Sequence, residues 1–400
     1  MQCLVKTFLC CVAVGVGVTA LLCSYIYIEF QLQLPSWPAV HFGFHGNTGQ
    51  QLLASSVPAG FKIITFGSSY FSNDEWPILS QTEQFSHCPT RACFIFPQSY
   101  YYEHQWLRDT ADAVVFHPRD PLLSQKLYWL SGRARPQRQR WITHIQESPL
   151  NIDGATSRLR LVCNWTMSYR SDADIYAPYG QFYLNANASS SSVDSVRPDR
   201  DYGDGKTGFV AIVVSHCSTP NRRELYWETL SKYVPVDVYG LCSKSNSSCT
   251  GPQNHPSCME DIVKRYKFYL AFENSNCREY ITEKFWHNAL EWDVVPIVRG
   301  APRTDYERFA PPGSFIHVND FSSVEKLAEY LQELNVDSEA YNKYFRWKQL
   351  GWISNNISAS FCRLCEALHD VTRPVKSYGY LNQWWNESDC WKQRGFTSVG

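Results

Sequence analysis

The sequence predicts an α/β protein built on parallel sheets, and three patterns carry that prediction. The string YKFYLAFENSNCREYITEKFWHNALEWDVVPIVRG opens with an apolar strand-like run at 268–272 and breaks at a polar turn from Glu273 to Glu279. It resumes as a helix over 283–291 and returns to a strand at 294–298. Such a β–α–β unit puts a polar loop where strand hands over to helix, the place where parallel sheets hold ligands. In the first half, short apolar runs recur at roughly 20- to 30-residue spacing, again a parallel-sheet pattern. Between the halves, 185–207 is rich in Ser, Asp and Gly without periodicity and reads as a linker.

Residues 1–7 read as a short cytoplasmic tail. The run 8–28 carries no charge and is long enough to cross a bilayer as a helix. Lys6 precedes it and Glu29 follows it, which places the N-terminus in the cytosol and the remainder in a lumen. A cleaved signal peptide would have a shorter apolar core and a small-residue cleavage site, whereas this run ends in SYIYIEF, so an uncleaved signal-anchor is expected. Residues 29–60, with Pro35, Pro38 and Pro58, read as a stem.

A net charge of −1 without a concentrated basic run argues against nucleic-acid binding. The chain has 15 Cys, 11 of them beyond residue 28, and glycosylation sequons at Asn164, Asn187, Asn246, Asn356 and Asn386. Both suit an oxidising lumen, where disulfides are the default state of cysteine. Cys362 and Cys365 form a CxxC that could also mean zinc or redox chemistry, but a second CxxC at zinc-ribbon spacing is missing. Eleven is odd, so at least one lumenal cysteine is free or paired between chains.

In the first predicted domain, 61–184, strands are expected at 61–66, 93–96, 113–116 and 141–145, with 121–134 ambiguous. Glu147 follows the last of these, just past a strand's C-terminal end. A lone carboxylate there is more often a solvated loop charge than a reactive group, although strand C-terminal ends are where α/β proteins put reactive groups. Asp172 and Asp174 make a DxD, a short pattern that some glycosyltransferases use to hold a metal ion.

In the second predicted domain, 208–361, the apolar run 209–215 suits a strand buried on both faces. Asn221 is expected to cap a helix with Glu224 in the capping-box position, which places Arg222 and Arg223 in its first turn. Thr282 caps the 283–291 helix with Lys284 in its first turn. Cations at a helix N-terminus oppose the dipole unless an anion is nearby, and a phosphate would supply one. A strand follows at 236–240. A helix capped by Asp320 runs to about residue 334, and another, capped by Asp337 or Ser338, runs over 339–353. Within the C-terminal segment 362–400, the aromatic stretch 366–400 has no placement from pattern alone.

The string YLAFENSNCREYITEKFWHNAL with VPIVRG and FIHVNDF closely resembles the donor-binding signature of the α1,3-fucosyltransferases, glycosyltransferase family 10. QRWITHIQESP resembles that family's QRW…ESP segment, and NWTMSYRSDADIYAPYG its NWT–SYR–D–D–PYG block. The resemblance covers roughly residues 60–365. It implies the GT-B architecture, two Rossmann-like domains facing a cleft, in a single-pass type II Golgi membrane protein with a lumenal catalytic region. It implies inverting transfer of L-fucose from GDP-fucose to a hydroxyl of N-acetylglucosamine (GlcNAc), terminal or core, in α1,3 linkage.

On this resemblance Glu147 is the first choice for the general base and Glu283 the second. Arg223 matches the donor-phosphate arginine, with Arg222 replacing it if the register is shifted by one. Lys284, Asn274, Tyr280, Ser215 and Tyr169 complete the donor set. The family commonly has Ser-Asn after the first strand of this domain, whereas Ser215 is followed here by His216, which puts that contact in doubt and suggests pH sensitivity. The resemblance also implies that Cys88 and Cys93 bond to Cys362 and Cys365, and that Cys217 pairs with Cys242. It requires no cofactor or metal ion, although Mn²⁺ stimulation and a homodimer stay open. Two other readings remain: an inactive glycan-binding protein on the same scaffold, and a metal-dependent transferase using Asp172 and Asp174.

Overall fold

The computed structural model describes residues 57–391 apart from 72, 74, 81–84, 153–158, 160–162 and 244–255. The predicted tail, the anchor, the stem before residue 57 and the sequon Asn246 lie outside the described residues. Among the described residues, no helix is long and apolar enough to cross a membrane.

Two parallel sheets organise the described chain. The first contains β1 (Lys62–Phe66), β2 (Cys93–Phe96), β3 (Ala113–Phe116), β4 (Arg140–Ile145), β5 (Trp165–Ser168) and β6 (Ile175–Tyr176). Their spatial order is β2-β1-β3-β4-β5-β6, with every pairing parallel. A separate strand, β7 (Gln181–Leu184), pairs elsewhere. The second sheet contains β8 (Gly208–Val213), β9 (Val236–Tyr239), β10 (Tyr266–Phe272), β11 (Val295–Arg299) and β12 (Ile316–His317), in the order β12-β11-β10-β8-β9, again all parallel. β7 and β13 (Gly351–Ser354) form a small antiparallel ribbon.

The apolar runs explain the sheets. All residues of β3, β5 and β11 are buried, as strands covered on both faces must be. The first sheet has a core on each face. One is built around Ile64, Phe66, Trp76 and Val115, and it includes Phe361, Leu364 and Ala367 from the helix Ser358–His369. The other is built around Phe96, Leu107, Val114 and Phe116, and it includes Cys277, Tyr280, Leu381 and Trp385. Residues late in the chain thus complete the first sheet's core. Disulfides Cys88–Cys362 and Cys93–Cys365 fix the same helix covalently, and Cys217–Cys242 and Cys277–Cys390 are also present. Cys163 is buried and free.

The ambiguous stretch 121–134 contains the helix Leu123–Ser131, and β5 and β6 are strands in a block for which no strand is expected. The helix expected over 283–291 is cut to one turn, Glu283–Trp286, followed by a 3₁₀ turn at Leu290–Trp292. Phe285, Trp286, Ala289 and Leu290 are all buried through the change from α to 3₁₀ geometry. The helix expected over 339–353 stops at Asn342 after an Asp337 cap and gives way to a 3₁₀ segment, Lys343–Gln349. The aromatic and branched residues Trp352 and Ile353 are drawn instead into the ribbon with β7. The helix after β12 spans Val324–Val336, and its cap is Ser323 rather than Asp320.

Candidate active site

The site forms where loops after β4 and β5 of the first sheet meet the loop after β10 of the second. Glu147 stands two residues beyond β4, half-buried, and its Oε2 accepts a hydrogen bond from the Tyr280 hydroxyl at 3.3 Å. Beside it the Ser148 and Ser275 hydroxyls lie 3.0 Å apart, and the Asn151 amide donates to Ser275 at 2.8 Å. Further along, the Glu279 carboxylate accepts from the Ser171 backbone N–H at 2.5 Å and hydroxyl at 2.8 Å. Glu279 is buried and takes a left-handed backbone, φ 58°, to make this reach.

Arg223 opens the helix Arg223–Leu230 at the end of β8. Arg222 does not share its first turn: it sits in the left-handed region at φ 50° and points to solvent, whereas Arg223 is buried. The structure therefore separates two arginines that the sequence leaves interchangeable. Asn221 is not a simple cap. Its Oδ1 accepts from the Arg223 N–H at 3.3 Å, while its amide reaches across to the Glu273 carbonyl and Asn276 Oδ1. Glu224 pairs with the Thr219 hydroxyl, at 3.0 Å, not with Asn221. The Arg223 guanidinium donates only to carbonyls, Phe272 O at 2.6 Å and His216 O at 3.3 Å. Burial pulls its pKa down against the opposing pull of Glu273.

Lys284 has two anions inside the protein. Its ammonium lies 2.8 Å from Glu283 and 3.5 Å from Glu273, and it also donates to the Thr282 hydroxyl at 3.0 Å. Glu273 was not singled out from the sequence. It is fully buried at the end of β10, accepts from both the backbone N–H and the hydroxyl of Thr282 at 2.8 Å, and is pushed upward in pKa by burial. Desolvation pulls Lys284 down, but the charges of Glu283 and Glu273 outweigh it and hold the lysine above its ordinary range. Surrounding protein works to raise the Glu283 carboxyl, yet the adjacent ammonium prevails and holds it below the usual carboxylate value.

Three of the anticipated donor residues carry buried polar atoms without a partner among the described residues: Arg223 Nε, Asn274 Oδ1 and Tyr169 Oη. Buried polar atoms in folded proteins are nearly always satisfied, so each of these offers a ligand an unmet hydrogen-bonding group. They comprise a donor, an acceptor and a hydroxyl that can be either. The Tyr280 ring lies 5.2 Å from Tyr169, and burial first, then the charges of Glu147, Glu273 and Glu283, raise the pKa of its hydroxyl. Ser215 and His216 are exposed just past β8, and His216 contributes through its carbonyl.

The DxD pair is occupied by cations. Asp172 binds Arg170 at 2.5 Å and Arg278 at 3.0 Å, and Asp174 accepts from Lys376 and Tyr378, both at 2.8 Å. Two His–Cys clusters, His87 with Cys88 and Cys362, and His369 with Cys93 and Cys365, have their sulfurs in disulfides. Of the described sequons, Asn187, Asn356 and Asn386 are exposed. Asn164 is half-buried, with its amide donating to the Lys376 carbonyl at 2.9 Å.

Two family models match the chain, "Fucosyltransferase, N-terminal" over residues 69–180 and "Glycosyltransferase family 10 (fucosyltransferase) C-term" over 204–384. The glycoprotein 3-alpha-L-fucosyltransferase A of Drosophila melanogaster is 40% identical over 280 residues, covering 69% of this chain and 54%, about half, of that protein. A 4-galactosyl-N-acetylglucosaminide 3-alpha-L-fucosyltransferase of Pan troglodytes is 40% identical over 269 residues, covering 66% of this chain and 69% of its own length. A 3-galactosyl-N-acetylglucosaminide 4-alpha-L-fucosyltransferase of Homo sapiens is 41% identical over 264 residues, covering 66% and 68%. A crystal structure of an alpha1,3-fucosyltransferase with GDP-fucose aligns with a TM-score of 0.48 at 16% identity, over 81% of this chain and 95% of the other. On the two domain matches and the extent of identity to these relatives, the chain belongs to glycosyltransferase family 10, the fucosyltransferases.

Proposed function

We propose that the chain transfers L-fucose from GDP-fucose to a GlcNAc hydroxyl of a glycan, in α1,3 linkage and with inversion, across a GT-B cleft. The observation that carries this reading is the meeting of the Glu147 loop of the first sheet with the loop after β10 of the second, where the Tyr280 hydroxyl donates to Glu147 and the Ser148 and Ser275 hydroxyls lie 3.0 Å apart. Glu147 deprotonates the acceptor hydroxyl. It is the better base than Glu283, whose lone pairs are engaged by Lys284 and whose affinity for a proton is lowered by that ammonium.

Glycosyl transfer develops positive charge at the sugar and negative charge on the departing diphosphate. A diphosphate needs no general acid if its charge is met in place. Arg223 supplies a desolvated cation with a free Nε–H, and Lys284 supplies a second charge that can turn from Glu283 to the donor. Asn274 serves a donor hydroxyl. Asp172 and Asp174 are committed to ion pairs, which favours a route without a resident metal ion. In the same proposal the enzyme is anchored in the Golgi membrane by residues 8–28.

The test is transfer from labelled GDP-fucose by the full-length chain in detergent, with and without EDTA. The panel of acceptors contains type 1 and type 2 N-acetyllactosamine, its N,N′-diacetyl counterpart and an N-glycan core. Transfer that survives EDTA and is lost in Glu147→Gln is the expected result. Loss of transfer on chelation, restored by Mn²⁺, would favour metal-dependent chemistry instead, and glycan binding without transfer or GDP release would favour the inactive scaffold.

A further inference from the structure

We propose that residues 384–391 act as a brace that holds the base-bearing loop and the donor-side loop in register, with Trp385 and Asp389 as positioning residues for Glu147 and Tyr280. The catalytic consequence rests on the fucosyltransferase reading, while the brace itself does not. All but the first of these residues lie beyond the family match.

The tail is attached to the donor-side loop as an added rung. The Cys277–Cys390 disulfide is flanked by two backbone hydrogen bonds, Arg278 N–H to Asp389 O and Trp391 N–H to Asn276 O, both 2.9 Å. The same few residues are also attached to the first sheet. Arg170, buried just beyond β5, donates to the Trp384 carbonyl at 2.7 Å and to Asp389 Oδ2 at 2.6 Å. Its guanidinium lies 4.6 Å over the Trp384 ring. Residues 387–389 pack against 149–151, the turn that follows Glu147.

A line of contacts runs from the tail to the reacting group. The buried Trp385 ring stands edge-on to Tyr169 at 5.3 Å, Tyr169 lies 5.2 Å from Tyr280, and the Tyr280 hydroxyl donates to Glu147. Asp389 also lies beside Arg278, at 3.5 Å, so one carboxylate serves an arginine from each wall. Glu147 and Asn274 come from different sheets, so their separation depends on whatever joins the two loops. The tail joins them covalently on one side and through a buried arginine on the other. A small displacement between reacting groups is enough to cost about 10²-fold in rate.

The test uses the full-length chain with Cys277→Ser/Cys390→Ser, Trp385→Ala, Trp385→Phe and Asp389→Asn. Hydrogen exchange is followed at 146–151 and 273–282, alongside kcat and KM for GDP-fucose. The expected result is exchange about 10-fold faster in both segments, with β8 and β10 unchanged, for the Cys pair and Trp385→Ala. In parallel, kcat falls about 10- to 100-fold, more than KM rises, and Trp385→Phe recovers most of it. Should the Cys variant fail to fold, Trp385→Ala and Asp389→Asn, which keep the disulfide, carry the test. Exchange that is unchanged, or that rises at 273–282 alone, would overturn the brace. Exchange that rises in both segments of a protein whose wild type transfers no fucose would sustain the brace and sink the transferase reading.

Discussion

Glu147 and Glu283 are the two carboxylates considered for the base, and their surroundings separate them: Glu147 accepts from the Tyr280 hydroxyl, whereas Glu283 is engaged by Lys284. Glu147→Gln is expected to lower kcat by about 10²- to 10⁴-fold while leaving KM for the donor nearly unchanged. Glu283→Gln removes a partner of Lys284 and is expected to act mainly on donor KM, and a Glu283→Gln enzyme without turnover but with normal donor binding would reverse the assignment. A second residue-scale prediction concerns acid. Burial pushes the His144 imidazole down to about 3, and burial with the nearby His144 charge pushes His117 in the same direction. The unfolded chain takes up a proton near pH 6.5 that the folded chain refuses. Stability is therefore full above about pH 6.5 and falls as pH drops toward 3, by up to about 1.4 kcal/mol per pH unit for each such histidine. Melting temperatures between about pH 7.5 and 4.5 should show this slope, and His144→Phe should reduce it.

At the scale of elements, the loop after β10 depends on a glycine after β11. Gly300 has φ 153°, and a Cβ placed there would lie 2.7 Å from Glu273 Cβ. Gly300→Ala should lose about 1–3 kcal/mol in chemical unfolding and displace the carboxylate that orders Thr282 and Lys284. Pattern reading found β1 to β4 and β8 to β11 because each is a short run rich in β-branched and aromatic residues. It missed β5 and β6, because β6 is only two residues long and WTMS breaks its apolar run with Thr166, whose hydroxyl is satisfied by Asp174 eight positions away. It overextended the helices after Thr282 and Asp337, because the spacing of apolar residues does not distinguish an α-helix from one turn of it continued as the 3₁₀ segments Leu290–Trp292 and Lys343–Gln349. Of the site, Glu147, Arg223 and Lys284 were legible from strand ends, caps and motif. Glu273, Glu279 and the Arg170–Asp389 link were not, since each depends on a partner at least nine positions away or on another sheet.

At the scale of the molecule, the two disulfides to the helix Ser358–His369 tie together residues 274 and 272 positions apart. Loops this long give a cross-link its largest effect on the unfolded chain. Replacing Cys88 and Cys362 by Ala together should cost about 2–5 kcal/mol, read as a lower denaturant midpoint. The connection between early strands and a late helix also imposes a timetable on biosynthesis. Ribosomes add about 5–20 residues per second, so β1 and β2 wait roughly 15–55 s for the helix that completes their core. During that interval Cys88 and Cys93, only five positions apart, are available to each other before either correct partner exists. A chaperone that shields the incomplete sheet and an isomerase that undoes that premature bond are expected to raise the yield of folded protein more than a stabilising substitution in the finished structure does.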